Sequence, residues 1–257
     1  MKVKPRFKNH VFPALLSFFF FFSVSIIFLT EVRADDIEFQ PGVTQSDFRK
    51  LTKELCSALS YKALAPAEPL GLVGFDIGLD ITATDINQEK DHWENSTEKD
   101  DMFDLLFLPK LYVRKGLPFK IDLGASYGII PDTNISLLGA EVKYSILEGS
   151  TASPAIAFRG TYTQLLGVDQ LDLSTYGVDL SVSKGFLNLT PYGGIGAFWV
   201  SSEAEDLNAG VDDLDREDMS LIRYFGGVRF AVFMLNVTVE VDYMEVPSYS
   251  LRVGMVF

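Results

Sequence analysis

The chain is poor in the residues that most often build soluble catalytic or metal sites. Its 257 residues include one cysteine and two histidines. Because Cys56 has no second cysteine to pair with, the sequence excludes an intramolecular disulfide and a cysteine-based zinc site. After residue 34 there is no continuous apolar run of about 18 residues, which argues against a transmembrane helix in that part of the chain.

Positive charge is also scarce. The sequence has 22 Lys and Arg against 35 Asp and Glu, a formal net charge of −13. An acidic surface repels polyanions, so nucleic acid is not expected as a partner. Divalent cations become candidate partners instead, and nothing in the sequence calls for an organic cofactor.

The first 34 residues predict an export signal rather than part of the fold. Four basic residues lie within positions 2–8, residues 11–29 are apolar, and Val32-Arg-Ala34 has the small-x-Ala pattern of a cleavage site. Removal of residues 1–34 takes away five basic residues and one acidic residue, which leaves a net charge of about −17. The alternative is an uncleaved anchor, since the apolar stretch could just cross a bilayer of about 30 Å.

Residues 35–69 predict a short helical segment ahead of the main domain. Phe48, Leu51 and Leu55 recur at steps of three and four residues, which favours a helix over residues 44–64. The prolines in residues 65–69 end it. This segment is expected to be either a plug inside a barrel or a periplasmic helix at its entrance.

From residue 70 to residue 257 apolar and polar residues alternate, which is typical of strands with one polar and one apolar face. The first predicted strand, residues 73–84, carries Phe75, Ile77 and Leu79 on one face and aspartate and glycine on the other. Residues 189–200 are less decided, because glycines and Pro191 let either face be apolar. We count ten strands.

The last nine residues carry the most specific pattern in the chain. Apolar residues stand at every second position up to an aromatic carboxy-terminus, namely at Tyr249, Leu251, Val253, Met255 and Phe257. This barrel-closing pattern resembles the last strand of small bacterial outer-membrane β-barrels. The resemblance implies an all-β fold, a closed antiparallel transmembrane β-barrel of about ten strands (8 to 12) with a short N-terminal helix. It also implies a Gram-negative outer-membrane location, contact with lipid and lipopolysaccharide, and insertion by the barrel-assembly machinery.

Charged residues on the polar strand faces would point into such a barrel. Opposite charges in a confined lumen should pair, because an unpaired buried charge costs several kcal/mol. The predicted lumen charge network comprises Asp76, Asp80, Lys110, Arg114, Lys120, Asp122, Glu141, Lys143, Arg159, Asp179, Arg229, Glu240, Asp242 and Arg252.

Two loop features are candidate sites of chemistry. His92, the one histidine after residue 34, could belong to a lipid-modifying enzyme site, but no serine spacing supports it and an enzyme is not expected. Asp213, Asp215 and Glu217 place three carboxylates at every second residue, a weak Ca²⁺ or Mg²⁺ pattern that lacks the glycine of an EF-hand loop.

These observations predict first a binding or passive-transport protein for a small solute or apolar ligand. The alternative is a structural or adhesive envelope protein with a closed lumen. A narrow lumen sealed by ion pairs would favour the alternative, whereas an apolar cavity beside the 44–64 helix would favour transport.

Overall fold

The computed structural model describes residues 39–86, 93, 105–130, 133–150, 152–207, 211 and 213–257. The named elements within these ranges are an α-helix, α1 (Gln45–Leu59), ten strands and a single 3-10 turn over Pro118–Lys120. The strands are β1 (Phe75–Asp85), β2 (Leu105–Leu117), β3 (Ile121–Ile129), β4 (Ser136–Glu148), β5 (Ala155–Leu166), β6 (Leu171–Ser183), β7 (Leu189–Ala204), β8 (Glu217–Val232), β9 (Leu235–Tyr243) and β10 (Pro247–Val256).

The ten strands close into one antiparallel barrel in which each strand pairs with its neighbours in sequence. Closure is made by β1 and β10, where Leu79 stands opposite Val253. At the end of this pairing the amide N–H of Phe75 donates to the carbonyl of Phe257 at 2.6 Å. The predicted ten-stranded barrel with a short helix is therefore confirmed.

The barrel has two different ends, here called the loop end and the turn end. The loop end carries the connections β1–β2, β3–β4, β5–β6, β7–β8 and β9–β10, which include the two longest. The turn end carries the short connections β2–β3, β4–β5, β6–β7 and β8–β9 together with Phe257.

The alternation of side chains places apolar residues outside and polar residues inside. Along β9, Val237, Val239 and Val241 are exposed, whereas Glu240 and Asp242 are buried. An apolar outer surface and a polar interior are the reverse of a soluble barrel and are typical of one that crosses a membrane. The barrel-closing residues from Tyr249 to Phe257 lie on this outer face and pair with β1 and β9.

Helix α1 begins with a reciprocal cap between Thr44 and Asp47 and ends at Leu59. It ends five residues earlier than predicted because Ser60 already has an extended backbone, with ψ of 150°. Its apolar face, with Phe48 and Leu51, is buried in the main hydrophobic core. Among the described residues no helix has the length and apolar character needed to cross a membrane.

The chain from residue 39 to residue 70, here called the inner segment, runs inside the barrel from the loop end to the turn end. At its start the amide N–H of Phe39 donates to Gln170 Oε1 in the β5–β6 connection, at 2.9 Å. At its finish the amide N–H of Leu70 donates to Asp122 Oδ1 beside the β2–β3 turn, at 3.2 Å. The lumen is thus occupied by the protein's own chain.

Candidate functional site

The middle of the lumen holds a balanced set of buried charges, here called the lumen charge cluster. Each wall residue of the cluster faces inward because it lies on the polar face of its strand. Its fully buried members are seven carboxylates and seven cations, namely Asp76, Asp80, Asp122, Glu141, Asp179, Glu240, Asp242, Lys62, Lys110, Arg114, Lys143, Arg159, Arg223 and Arg252.

Arg114 on β2 lies at the centre of one half of the cluster. Its Nε donates to Glu141 Oε1 on β4, and its Nη1 lies 3.5 Å from Asp76 Oδ2 on β1. Glu141 also accepts a hydrogen bond from the Tyr112 hydroxyl at 2.6 Å. Because β1, β2 and β4 share these contacts, the ion pairs brace the wall across the intervening β3 as well as satisfy each other.

Arg252 on β10 completes this half across the closing strand pair. Its Nη2 donates to Asp76 Oδ1 at 2.7 Å, and its Nε lies 3.6 Å from Asp80 Oδ1. The guanidinium carbons of Arg114 and Arg252 lie 4.7 Å and 4.4 Å from the centre of the Tyr112 ring. Such contacts between cations and an aromatic ring are most favourable where water is excluded.

The opposite wall holds the second half of the cluster. Arg223 on β8 donates to Glu240 Oε1 at 2.6 Å and to Asp242 Oδ1 at 3.1 Å, both on β9. Arg159 on β5 extends the first half along the wall, since it lies 3.3 Å from Glu141 on β4 and 3.5 Å from Asp179 on β6.

The same cations hold the backbone of the inner segment. Arg114 Nη2 and Arg252 Nη1 both donate to the carbonyl of Ala63 at 3.3 Å, and Arg223 Nη1 donates to the carbonyl of Tyr61 at 3.2 Å. An extended strand away from any sheet has no partners for its own carbonyls, and a buried carbonyl must find one. Here the wall guanidinium groups supply the donors.

Nearer the turn end, β4 and β6 continue this pattern with other donors and acceptors. Lys143 Nζ donates to the carbonyl of Glu68 at 2.7 Å and lies 2.9 Å from Asp122. The Ser145 hydroxyl donates to the carbonyl of Ala67 at 2.8 Å, and the amide of Ala67 donates to the Ser183 hydroxyl at 3.0 Å. Residues 61–70 are therefore fixed to the wall along their length.

The inner segment contributes one charge of its own. Lys62 is fully buried, lies 3.7 Å from Asp242 and donates to the carbonyl of Ser57 at the end of α1. Paired and hydrogen-bonded charges can remain buried, whereas removing one partner of such a pair is strongly destabilising. Lys62 therefore ties the segment to β9 by charge as well as by backbone contacts.

The structure places twelve of the fourteen predicted lumen charges fully inside the barrel. Arg229 is half-buried on the same face. Lys120, in contrast to the prediction, does not belong to the lumen charge cluster. It lies in the β2–β3 turn with a φ of 64° and pairs at the surface with Glu148 at 3.0 Å. Pro118 ends the alternation there, so the residue is not part of a strand.

Two cluster members were missed by the sequence analysis. Arg223 shares the polar face of β8 with Arg229, so its strand period could have included it. Lys62 could not be found in this way, because it lies outside the strands and its burial depends on where the inner segment runs.

At the loop end, α1 is joined to the surface connections by polar contacts around its first turns. Arg49 Nε donates to Glu217 Oε2 at 2.9 Å, and Gln45 Nε2 donates to Glu217 Oε1 at 2.6 Å. The Trp93 indole N–H donates to Glu54 Oε2 at 2.6 Å. The helix thereby anchors two of the loops that surround it.

These contacts bear on the two predicted loop sites. The Glu217 carboxylate faces α1 rather than Asp213 and Asp215, and no group of three His, Cys, Asp or Glu residues within the described ranges is arranged to hold a metal ion. His92 lies outside the described residues.

Cys56 is buried on the helix face toward the β9–β10 connection, with its Sγ 3.7 Å from Met244 Sδ. Burial raises the pKa of the Cys56 thiol to about 12, an effect that the nearby Lys62 charge reduces only in part. The thiol is therefore protonated at neutral pH and is a packing group rather than a nucleophile.

Comparison with known proteins gives matches of structure but not of sequence. No protein-family model matches the chain, and no curated protein matches it in sequence. The solved structures similar to it are small bacterial outer-membrane β-barrels. A KdgM porin in complex with disordered oligogalacturonate has 11% identity and a TM-score of 0.37, covering 71% of this chain and 99% of the porin.

Two further similar structures are proteins of Pseudomonas aeruginosa and Yersinia pestis. OprG from Pseudomonas aeruginosa has 11% identity and a TM-score of 0.36, over 74% of this chain and 99% of OprG. Ail, the attachment invasion locus protein of Yersinia pestis, in complex with a heparin analogue, has 12% identity and a TM-score of 0.31, over 72% of this chain and 97% of Ail. At these scores the closed barrel is established by the chain's own strand pairing, and no ligand is transferred from these proteins.

Proposed function

We propose that this protein is an outer-membrane β-barrel of a Gram-negative-type bacterium, exported by residues 1–34 and closed by its own inner segment. The apolar outer face and the aromatic closing strand support a membrane location, since hydrocarbon tolerates only structures that satisfy all backbone groups internally. The loop end faces the cell exterior in this proposal, with its longer connections.

The closed state is supported mainly by the attachment of residues 61–70 to the barrel wall. Guanidinium groups of Arg114, Arg223 and Arg252 converge on two backbone carbonyls in the middle of the lumen. A barrel of about ten strands has little room beyond its own side chains. Because the inner segment crosses this space along its whole length, this conformation does not support passive diffusion of solutes through the barrel.

The structural or adhesive role is therefore favoured over passive transport. α1 packs against the loop-end core and holds the β1–β2 and β7–β8 connections through Glu54 and Glu217. In this proposal the segment acts as a rigid internal support that fixes the outward-facing loops in position. The protein would then act at the cell surface, through the shape and negative charge of these loops.

The decisive experiment is single-channel conductance of the mature chain, residues 35–257, refolded in detergent and inserted into planar bilayers. Correct folding is checked by a heat-dependent shift in gel mobility. We expect a mobility shift without steady conductance. Steady conductance from the intact chain would overturn the closed state and return passive transport to first place.

A second assay tests the orientation with epitope tags in intact cells. One tag follows Gly42, an exposed position at the loop end whose added Cβ would meet nothing within 4 Å. The control tag replaces Ala152, in the β4–β5 turn at the turn end. Antibody should bind the first tag without permeabilisation and the second only after it. The reverse pattern would contradict an outward-facing loop end.

A further inference from the structure

The turn end of the barrel carries exposed apolar side chains at positions where such residues are unfavourable. Leu187 and Phe233 are completely exposed, and Phe119 is 86% exposed. They occupy three of the four connections at this end, β6–β7, β8–β9 and β2–β3. Each of them has a positive φ, of 54°, 55° and 64° respectively.

This placement is energetically unfavourable in two ways. The β8–β9 connection is a two-residue turn and the tip of the β6–β7 connection is another, because Val232 pairs with Leu235 and Phe186 bridges to Leu189. A positive φ at the first residue of such a turn favours glycine. Side chains with a Cβ are strained in the left-handed region, and complete exposure of a large apolar group to water is unfavourable as well. Neither cost is offset by contacts within the chain.

The exposed turn residues are continuous with the lipid-facing surface. Phe186 and Phe230 on neighbouring strand ends are exposed on the outer face, next to Leu187 and Phe233. Phe257 at the end of the chain is exposed there too and stacks with Phe75, the ring centres lying 5.4 Å apart. The apolar belt therefore does not stop at the last strand residues but extends over the turns.

The kind of aromatic residue also differs between the two ends. Exposed aromatic side chains near the loop end are mostly Tyr and Trp, among them Tyr127, Tyr176, Trp199, Tyr243 and Tyr249. Near the turn end they are mostly Phe. Tyr and Trp suit the membrane surface because one polar group can reach water, whereas Phe has no such group.

We propose that the turn end lies against the inner phospholipid leaflet, with the Leu187 and Phe233 side chains inserted among the lipid chains. The partner is a lipid surface because the apolar turns continue the apolar belt. The proposal rests on the membrane location argued above, and it assigns a depth to the barrel within that membrane.

The β4–β5 connection has no exposed apolar turn residue of this kind among its described residues, so it supplies the control position for the test. Ser150 and Ser153 bond to each other at 2.9 Å, and Lys184 Nζ donates to the carbonyl of Ser150 at 2.8 Å. This connection is polar and should remain in water. Immersion of the β6–β7 and β8–β9 turns and hydration of the β4–β5 connection predict that the barrel axis is tilted in the membrane.

The test uses single-cysteine variants of the mature chain in a Cys56→Ala background, labelled with a small fluorophore. Leu187→Cys and Phe233→Cys report on the apolar turns, and Ala152→Cys reports on the polar connection. Val239→Cys, exposed in the middle of β9, is the reference for lipid contact. The labels replace exposed side chains, and folding of each variant is checked by its mobility shift.

Each variant is refolded into phosphatidylcholine vesicles, with either normal or brominated acyl chains, and separately exposed to iodide on both sides of the membrane. We expect brominated lipid to quench the labels at 187 and 233 nearly as strongly as the label at 239, with iodide quenching mainly the label at 152. If the labels at 187 and 233 behave like that at 152 while 239 stays in lipid, the inference is overturned and a periplasmic protein becomes the occupant. If 239 is also quenched by iodide and not by brominated lipid, the membrane location itself fails.

Discussion

The two halves of the inner segment fill the lumen in different ways. Residues 39–59 include α1, which buries Phe48 and Leu51 in an apolar core, whereas residues 60–70 are held by charged and hydroxyl side chains of the wall. A helix satisfies most of its own backbone groups, so it can be surrounded by apolar residues. An extended chain cannot, so it needs a polar wall.

The wall is divided in the same way. On β4, β6 and β7 inward residues near the loop end are apolar, for example Leu137, Leu173 and Val200, whereas the middle of β4 and β6 carries Glu141 and Asp179. The helical part of the inner segment therefore lies beside apolar wall residues, and its non-helical part lies beside polar and charged ones. Each of these two parts can be disturbed separately by substitutions in the wall or in the inner segment.

Replacing Arg114 by Met should have the largest effect, because it removes a shared partner of Glu141, Asp76 and the Ala63 carbonyl. We expect the free energy of unfolding to fall by about 3–5 kcal/mol, the usual loss when one side of a buried pair is removed. Urea unfolding in vesicles measures it. The control is Lys120→Met, at an exposed pair that should contribute only about 0–1 kcal/mol. Equal losses for both variants would contradict a closed, dry cluster.

The Cys56 thiol should be nearly inert while the helix half is in place. A pKa of about 12 against the ordinary 9.0 lowers the thiolate fraction at neutral pH about a thousand-fold, before any effect of steric protection. Maleimide labelling of the folded and the urea-unfolded chain at pH 7 measures the difference. Rapid labelling of the folded protein would contradict the burial of this helix face.

Leu51→Ala should loosen the helix half and leave the polar half in place. Deleting a buried leucine side chain costs about 2–5 kcal/mol. We expect faster labelling of Cys56 with an unchanged mobility shift of the barrel and no steady conductance. Lys50→Ala, at an exposed position on the same helix, is the control and should label at the wild-type rate. Conductance in the Leu51→Ala variant would show that the two halves do not hold independently.

Thr44→Ala should have the smallest effect, because it removes one half of the reciprocal cap with Asp47. The expected loss is about 1 kcal/mol of helix stability, measured as a modest increase in the rate of Cys56 labelling. Thr44→Ser keeps the hydroxyl and should behave as wild type. If both variants label alike, the cap contributes little to the docked helix.

The sequence predicts the barrel well because apolar and polar residues alternate with a period of two, so only one face of each strand can be the apolar outer face. It also predicts most wall charges, such as Asp76 and Arg252. It does not predict their partners, since register between strands distant in sequence is fixed by closure rather than by a local pattern. Lys62 shows the same limit, because its burial depends on the route of the inner segment. Lys120 shows another, because a proline turn interrupts the period.

The order of events during assembly follows from the route of the inner segment. Residues 39–70 come immediately before β1, and β1 is one of the two strands that close the barrel. A complete cylinder would have to admit the segment through one of its ends, past the buried ion pairs, whereas an open sheet can curl around it. The segment is therefore expected to be in position before β10 pairs with β1. It then acts as a template for curvature, and joining residues 75–85 to residues 247–256 becomes the last step of folding, the one with the largest separation along the chain.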